Sequence, residues 1–197
     1  MTIAFNKVAV IGAGAMGRGI AEIAAQAGSQ VWLYDTQAEA IQKAEDAVFQ
    51  VWDSLAAKGR LDDGTVKSYK ARLQGASTLN DLQSCELVVE AIVERLDIKK
   101  SLFVELENLL PESAVLVTNT SSLSVTAIAA ALKRPEQFAG YHFFNPVPLM
   151  KVVEVIAGLK TSSAVCERLT SFAKQMGHTP VQANDTPGFI VNHAGRG

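Results

Sequence analysis

A chain of 197 residues, 48% hydrophobic and 19% charged, is long enough to bury a substantial core, and one compact domain is the default expectation. Its 18 basic and 20 acidic side chains nearly cancel, which excludes a global field able to hold nucleic acid or an anionic membrane, so any anion must be bound locally. No apolar run reaches the roughly 20 residues of a membrane helix, the first residues show no leader pattern, and Cys85 and Cys166 lack the spacing of a metal or redox motif, so a soluble, cytoplasmic protein without a metal is expected.

The first predicted strand, 8–11, runs directly into Gly12-Ala13-Gly14-Ala15-Met16-Gly17 and then into a helix over 16–27 that stops at Gly28. With a strand before and a helix after, the glycine pattern reads as a dinucleotide-binding loop. Gly12 permits the tight turn, Gly14 the close approach of a pyrophosphate, and Gly17 the packing of helix on strand, so that the amides around Ala15 and Met16 face the phosphates. The second strand, 31–35, ends on Asp35, placed to accept both adenosine ribose hydroxyls and to repel a 2′-phosphate. Thr36 and Gln37 follow, and the nearest downstream cation is Lys43, so NAD is favoured over NADP. Without a ligand the same residues would be a tight turn and a surface aspartate; the coincidence of all the features favours the cofactor.

Residues 36–72 are too many for one crossover helix. Gly59, Asp62, Asp63 and Gly64 divide them into a helical pair, and Ile41, Ala44, Val48 and Leu55 give an apolar helical face, which predicts an ordered excursion from the sheet. Further strands are predicted at 87–92, 115–119, 138–144, 151–156 and 179–183, with helices at 98–110, stopped by Pro111, and 162–176, ended at Gly177. Most strands are apolar on both faces. The expected fold class is therefore α/β: a Rossmann-type, doubly wound, mostly parallel sheet with an inserted helical pair.

The strand at 115–119 leads into Thr118-Asn119-Thr120-Ser121-Ser122, a hydroxyl and amide cluster at the carboxyl edge, placed to touch the nicotinamide ribose or a substrate oxygen. Ser124 reads as a helix N-cap, and for Ser121 and Ser122 capping and function are equally supported. His142 lies near the end of one strand and Glu154 within the next, across a short loop rich in proline. Antiparallel pairing about that loop sets residues 142 and 154 opposite or nearly so on one face. The carboxylate would then orient the imidazole and stabilise its protonated form, as a general base requires. A histidine among aromatics is on its own more often a core residue, and a strand glutamate an edge residue. Burial of either without a partner is costly, so the pair together favours function. Asn192, past Pro187-Gly188-Phe189-Ile190-Val191, either donates to a substrate carbonyl or faces solvent.

Four segments then carry a resemblance: Val89-Glu90-Ala91-Ile92-Val93-Glu94, Asn119-Thr120-Ser121-Ser122-Leu123, Gly140-Tyr141-His142-Phe143-Phe144-Asn145-Pro146 and Asp185-Thr186-Pro187-Gly188-Phe189-Ile190-Val191-Asn192. In this order they resemble the N-terminal domain of the 3-hydroxyacyl-CoA dehydrogenase family, from Lys7 to Asn192. The resemblance implies NAD-dependent oxidation of a 3-hydroxyacyl-CoA to the 3-ketoacyl-CoA and the reverse, with His142 as base, Glu154 as its partner, and Ser121 and Asn192 as hydrogen-bonding groups around the substrate oxygen. It implies Glu94 and Lys99, with Asn119, beside the cofactor, and Asn145 and Lys58 on the acyl-CoA, Lys58 meeting the CoA moiety. Lys58, Arg60, Lys67, Lys70 and Arg72 concentrate positive charge there, although a solvated helix face accounts equally for most of them. Family members continue into a helical domain that carries dimer contacts. This sequence reads as an NAD-binding domain over 1–192 followed by an atypical tail at 193–197, with that helical domain absent. The alternatives are a non-catalytic NAD-binding module, against which His142 and Glu154 speak, and a 3-hydroxyacid dehydrogenase acting without CoA, which would use a lysine in place of the pair.

Overall fold

The central strands are apolar on both sides, and the structure, a computed structural model that describes residues 3–186, covers both faces with helices. Among the described residues the strands are β1 (Lys7–Ile11), β2 (Gln30–Tyr34), β3 (Leu73–Gly75), β4 (Leu87–Glu90), β5 (Val115–Thr118), β6 (Phe138–Phe143), β7 (Val152–Ala157) and β8 (Thr179–Asn184). The helices are α1 (Ala15–Gln26), α2 (Ala38–Ala57), α3 (Asp63–Arg72), α4 (Leu96–Leu109), α5 (Val125–Ala129) and α6 (Ser163–Gln175). One sheet holds all the strands in the order β3-β2-β1-β4-β5-β6-β7-β8. The first six run parallel, β7 is antiparallel to β6, and β8 is parallel to β7.

Alternation of side chains along each strand builds two cores. Val8, Val10, Leu87 and Val89 cluster with Ile20 and Ile23 of α1, Trp52 of α2 and Phe172 of α6. Ala9, Ile11 and Val88 cluster on the opposite face with Phe103 and Leu106 of α4 and Ile128 of α5. Because β1 lies between β2 and β4, the strand order reverses there, and the carboxyl ends of β1 and β4 diverge into a crevice. Cys85 is fully buried, which pushes its thiol up to about 12 and leaves it a small apolar side chain.

The excursion is a helical pair. Gly59 takes φ 67° just after α2, and Asp62 caps α3 by accepting from Thr65 N at 2.9 Å. The buried face of α2 is Ile41, Ala44, Val48 and Trp52; Leu55 is only half-buried, so the tryptophan one turn earlier completes the stripe. One strand was not foreseen, and one helix was announced only by its cap. Strand β3 has three residues with only Leu73 buried, too short for alternation to show, and α5 is a single turn and a half after its Ser124 cap. No helix among the described residues is long and apolar enough to cross a membrane.

The turn from β1 to α1 is held by close packing. Gly12 has φ 103° and donates its N–H to Tyr34 O at 2.8 Å, and a Cβ on Gly17 would lie 1.8 Å from the Gly12 carbonyl oxygen. Gly17→Ala is expected to cost about 1–3 kcal/mol of stability, the usual range for overpacking, and to weaken NADH binding because the displaced atom belongs to the phosphate-facing turn. Thermal unfolding and a fluorescence titration check this. Unchanged values in both would show that the turn gives way without consequence.

Candidate active site

The start of α1 is open. Its N-cap, Gly14, offers no side chain to the first-turn amides, and that turn carries no acidic residue. A Cβ at Gly14 would meet no protein atom within 4 Å, so nothing internal demands glycine there and the space outside the backbone is open to a ligand. Uncapped amides with the positive end of the helix dipole suit a pyrophosphate. Beside them lies a cavity of about 460 Å³ lined by Gly12, Gly14, Tyr34, Asp35, Ile92 and Ile98, among others. Asp35 accepts from Ala13 N at 2.8 Å through Oδ2 and from Gln37 N at 3.0 Å through Oδ1. This fixes the carboxylate while leaving it lone pairs for two hydroxyl donors. The residues thus fit an adenosine diphosphate half with a free ribose, as NAD has.

The neighbouring crevice is organised by a buried charge network. Glu90, at the end of β4, and Lys99, in α4, are almost wholly excluded from solvent, and Lys99 Nζ lies 2.5 Å from Glu90 Oε1 and 3.3 Å from Glu94 Oε2. Glu90 also accepts from Thr118 Oγ1 at 2.6 Å and from Ile92 N at 2.7 Å. Glu94 Oε1 collects the hydroxyl of Thr120, the N–H of Ser121 at 3.1 Å, the N–H of Ser122 at 3.3 Å and the Ser122 hydroxyl at 3.1 Å. Burial opposes the charge on Glu94, but these donors and Lys99 outweigh it and hold the carboxyl below its ordinary range. Lys99 therefore bears on the crevice through Glu94, and Glu94 sets the backbone that presents Ser121. Sequence reasoning missed Glu90 as a site residue. The signal was available: a lone carboxylate closing an otherwise apolar strand needs a buried cation, and Lys99 follows nine residues later.

Antiparallel pairing of β6 and β7 sets His142 directly opposite Glu154, with Nδ1 2.7 Å from Oε2. Glu154 is fully buried and His142 is 6% exposed. Asn119 joins β5 to this pair: its Oδ1 accepts from Phe143 N at 2.8 Å, leaving the amide nitrogen as its remaining side-chain donor. Asn145 is exposed in the loop after β6, three residues past His142. Lys58 stands apart as the exposed C-cap of α2. Asn192 lies outside the described residues.

Asp185, another residue that spacing did not single out, ties the end of β8 to the Ser121 loop. Its carboxylate accepts from Ser124 Oγ at 2.8 Å, Val125 N at 2.9 Å and Thr126 N at 2.7 Å. Burial disfavours its charge, yet these donors prevail and its carboxyl sits below the ordinary range. A carboxyl depressed in the folded state stabilises fully above its unfolded value and loses that contribution as pH falls through the folded one. Asp185→Ala is expected to cost about 0.5–2 kcal/mol near neutrality, as for loss of a helix cap, with the deficit shrinking below about pH 4. Denaturant unfolding across pH measures it. A deficit constant into acid would mean that the charge plays no part.

Comparison with known proteins gives the family of the whole domain. The family described as 3-hydroxyacyl-CoA dehydrogenase, NAD binding domain, matches residues 7–186. A 3-hydroxyadipyl-CoA dehydrogenase of Escherichia coli is 47% identical over 196 residues, 100% of this chain and 41% of that protein. The crystal structure of a 3-hydroxybutyryl-CoA dehydrogenase from Escherichia coli superposes with a TM-score of 0.95 at 47% identity, covering 98% of this chain and 41% of that one. That of an (S)-3-hydroxybutyryl-CoA dehydrogenase from Ralstonia eutropha gives 0.92 at 36% identity, covering 96% and 67%. The chain thus spans about two-fifths of the Escherichia coli relative's length. With a family match over nearly all the described residues, an open helix start and an aspartate fixed beside it, the chain belongs to the NAD-binding domain family of the 3-hydroxyacyl-CoA dehydrogenases.

Proposed function

We propose that this chain supplies the cofactor site and the catalytic pair for NAD-dependent oxidation of a 3-hydroxyacyl-CoA to a 3-ketoacyl-CoA, and for the reverse reduction. The carrying observation is the buried His142–Glu154 pair at 2.7 Å, near the carboxyl end of a strand parallel to the one that leads into the dinucleotide loop. His142 uses Nδ1 on Glu154, so Nε2 is the nitrogen that takes the 3-hydroxyl proton; in reduction the imidazolium returns it. Glu154 fixes the ring and offsets the charge that it gains. NAD, when bound, supplies the hydride acceptor. Gly12, Gly14, Ala15, Met16 and Gly17 hold its pyrophosphate, Asp35 its adenosine ribose, and Asn119 and Glu94, backed by Lys99, its nicotinamide half. Ser121 and Asn192 hydrogen-bond the substrate oxygen, Asn145 contacts the acyl group and Lys58 the CoA moiety. The NAD-binding unit in this reading is 1–192, with the helical pair as its excursion.

The test mixes the chain with acetoacetyl-CoA and NADH and follows loss of the reduced cofactor. Turnover supports the reaction. NADH binding without turnover leaves the chain a cofactor-binding module that needs further residues for chemistry, and failure to bind NADH overturns the reading of the glycine loop and Asp35.

A further inference from the structure

Between β6 and β7 the chain runs through residues 144–151, and of these only Val147 is buried, at 1% exposure; Asn145, Pro146, Leu149 and Met150 are open to solvent. Two contacts hold that one residue. Its side chain lies on α1 at Gly19, where an added Cβ would come within 2.8 Å of the Val147 Cβ. Its carbonyl oxygen is met by Nε2 of His178 at 3.0 Å. Within the loop, the N–H groups of Leu149 and Met150 donate to Pro146 O at 3.0 and 2.9 Å.

His178 is 3% exposed and stands between the end of α6 and the start of β8, where neither the cofactor site nor the His142–Glu154 pair uses it. Its Nδ1 lies 3.1 Å from Met176 O, so both ring nitrogens face carbonyl oxygens, which only accept. The ring therefore carries a hydrogen on Nε2 whenever it holds the loop, and on both nitrogens when it holds both partners. The Val147 carbonyl has lost water and needs such a donor.

The loop joins two parts of the candidate site. Its first residue, Phe144, packs its ring on that of His142, with centroids 4.6 Å apart at 60°. The His178 ring itself meets Phe143, which follows His142 in β6, at 5.6 Å and 77°. Through Val147 the same loop rests on α1, the helix that opens at the dinucleotide turn. A hydrogen bond that fixes Val147 thus bears on the spacing between the imidazole of His142 and that helix.

We propose that His178 is a positioning residue for the reaction: by donating from Nε2 to Val147 O it holds the loop after β6 against α1 and so sets the His142 imidazole relative to the cofactor. The proposal rests on the dehydrogenase reading above and adds to it a residue that acts through the loop.

Two substitutions separate the two bonds. In His178→Gln the side-chain amide nitrogen takes the place of Nε2, and in His178→Asn that of Nδ1, so the first keeps the bond to Val147 O and the second the bond to Met176 O. Each variant loses one bond, so thermal midpoints should fall by similar amounts, and a merely structural role would stop there. His178→Asn is expected, in addition, to speed hydrogen exchange of the Leu149 and Met150 amides about tenfold as the loop opens locally. It should also lower kcat for acetoacetyl-CoA reduction about ten- to a hundredfold, the effect of a misplacement of about 1 Å, with NADH affinity unchanged. His178→Gln should stay near wild type in exchange, kcat and NADH affinity. A kcat unchanged in His178→Asn, or lowered equally in both variants, overturns the proposal. So does a wild-type nitrogen spectrum in which His178 Nε2 carries no hydrogen, a measurement that needs no variant to fold. If wild type binds NADH and turns nothing over, the dehydrogenase reading itself fails and the positioning role falls with it.

Discussion

Lys99→Met should unfold at a temperature well below wild type while NADH, added in excess, recovers only part of the loss. Two carboxylates, Glu90 and Glu94, close on this one ammonium, and Glu90 has no exposure to solvent at all. The net worth of a buried ion pair against apolar residues is small, because desolvation cancels most of the attraction. Removing one partner is a different matter: the surviving charge keeps its desolvation cost and loses its compensation, at about 3–5 kcal/mol. For a chain of this size about 1 kcal/mol moves the midpoint by about 2–4 °C, so a fall of roughly 6–20 °C is expected by calorimetry. Glu90→Gln in the Lys99→Met background should restore much of that deficit. Glutamine can still meet Thr118 Oγ1 and Ile92 N, so the comparison isolates charge from hydrogen bonding. Lys99→Met melting with wild type would show that the ammonium is not what holds Glu90 in place.

That network also marks the limit of what the linear sequence reveals. The period of apolar residues fixes how each strand distributes its side chains, and the glycine loop with Asp35 is a local motif, so both are readable before any contact is known. The His142–Glu154 pairing is readable too, because a short loop between two strands determines register. Strand β3 and helix α5 are too short to carry a period, and Trp52 displaces Leu55 from the buried face of α2 only because Phe49 and Tyr69 pack around it. Glu94 and Asp185 belong to a harder class. Their hydrogen-bond donors lie 26 to 28 and 59 to 61 residues away and are backbone N–H groups and hydroxyls, which no sequence pattern distinguishes as partners. Lys99 shows the converse: resemblance puts it near the cofactor, and only its neighbours reveal it as the counter-ion of Glu90 and Glu94.

His142→Gln is expected to lower kcat for acetoacetyl-CoA reduction by about 10²–10⁴-fold, the usual contribution of a positioned acid or base, with NADH affinity unchanged. Glutamine is uncharged and does not exchange a proton near neutral pH, yet its amide can still reach Glu154 across the β6–β7 pair. The substitution therefore removes proton transfer while keeping the sheet register. Glu154→Gln attacks the same function from the other side, leaving an imidazole that an amide oxygen can still hold but that no charge compensates when it gains a proton. If the two act as a unit, the double variant should be hardly worse than His142→Gln alone, since once the base is gone nothing remains to orient. Losses that multiply would mean that Glu154 does something His142 does not transmit, such as supporting the strand edge toward β8, where it lies in register with Val181. Wild-type turnover in His142→Gln would remove the imidazole from the mechanism and leave the buried pair a structural crosslink between two strands.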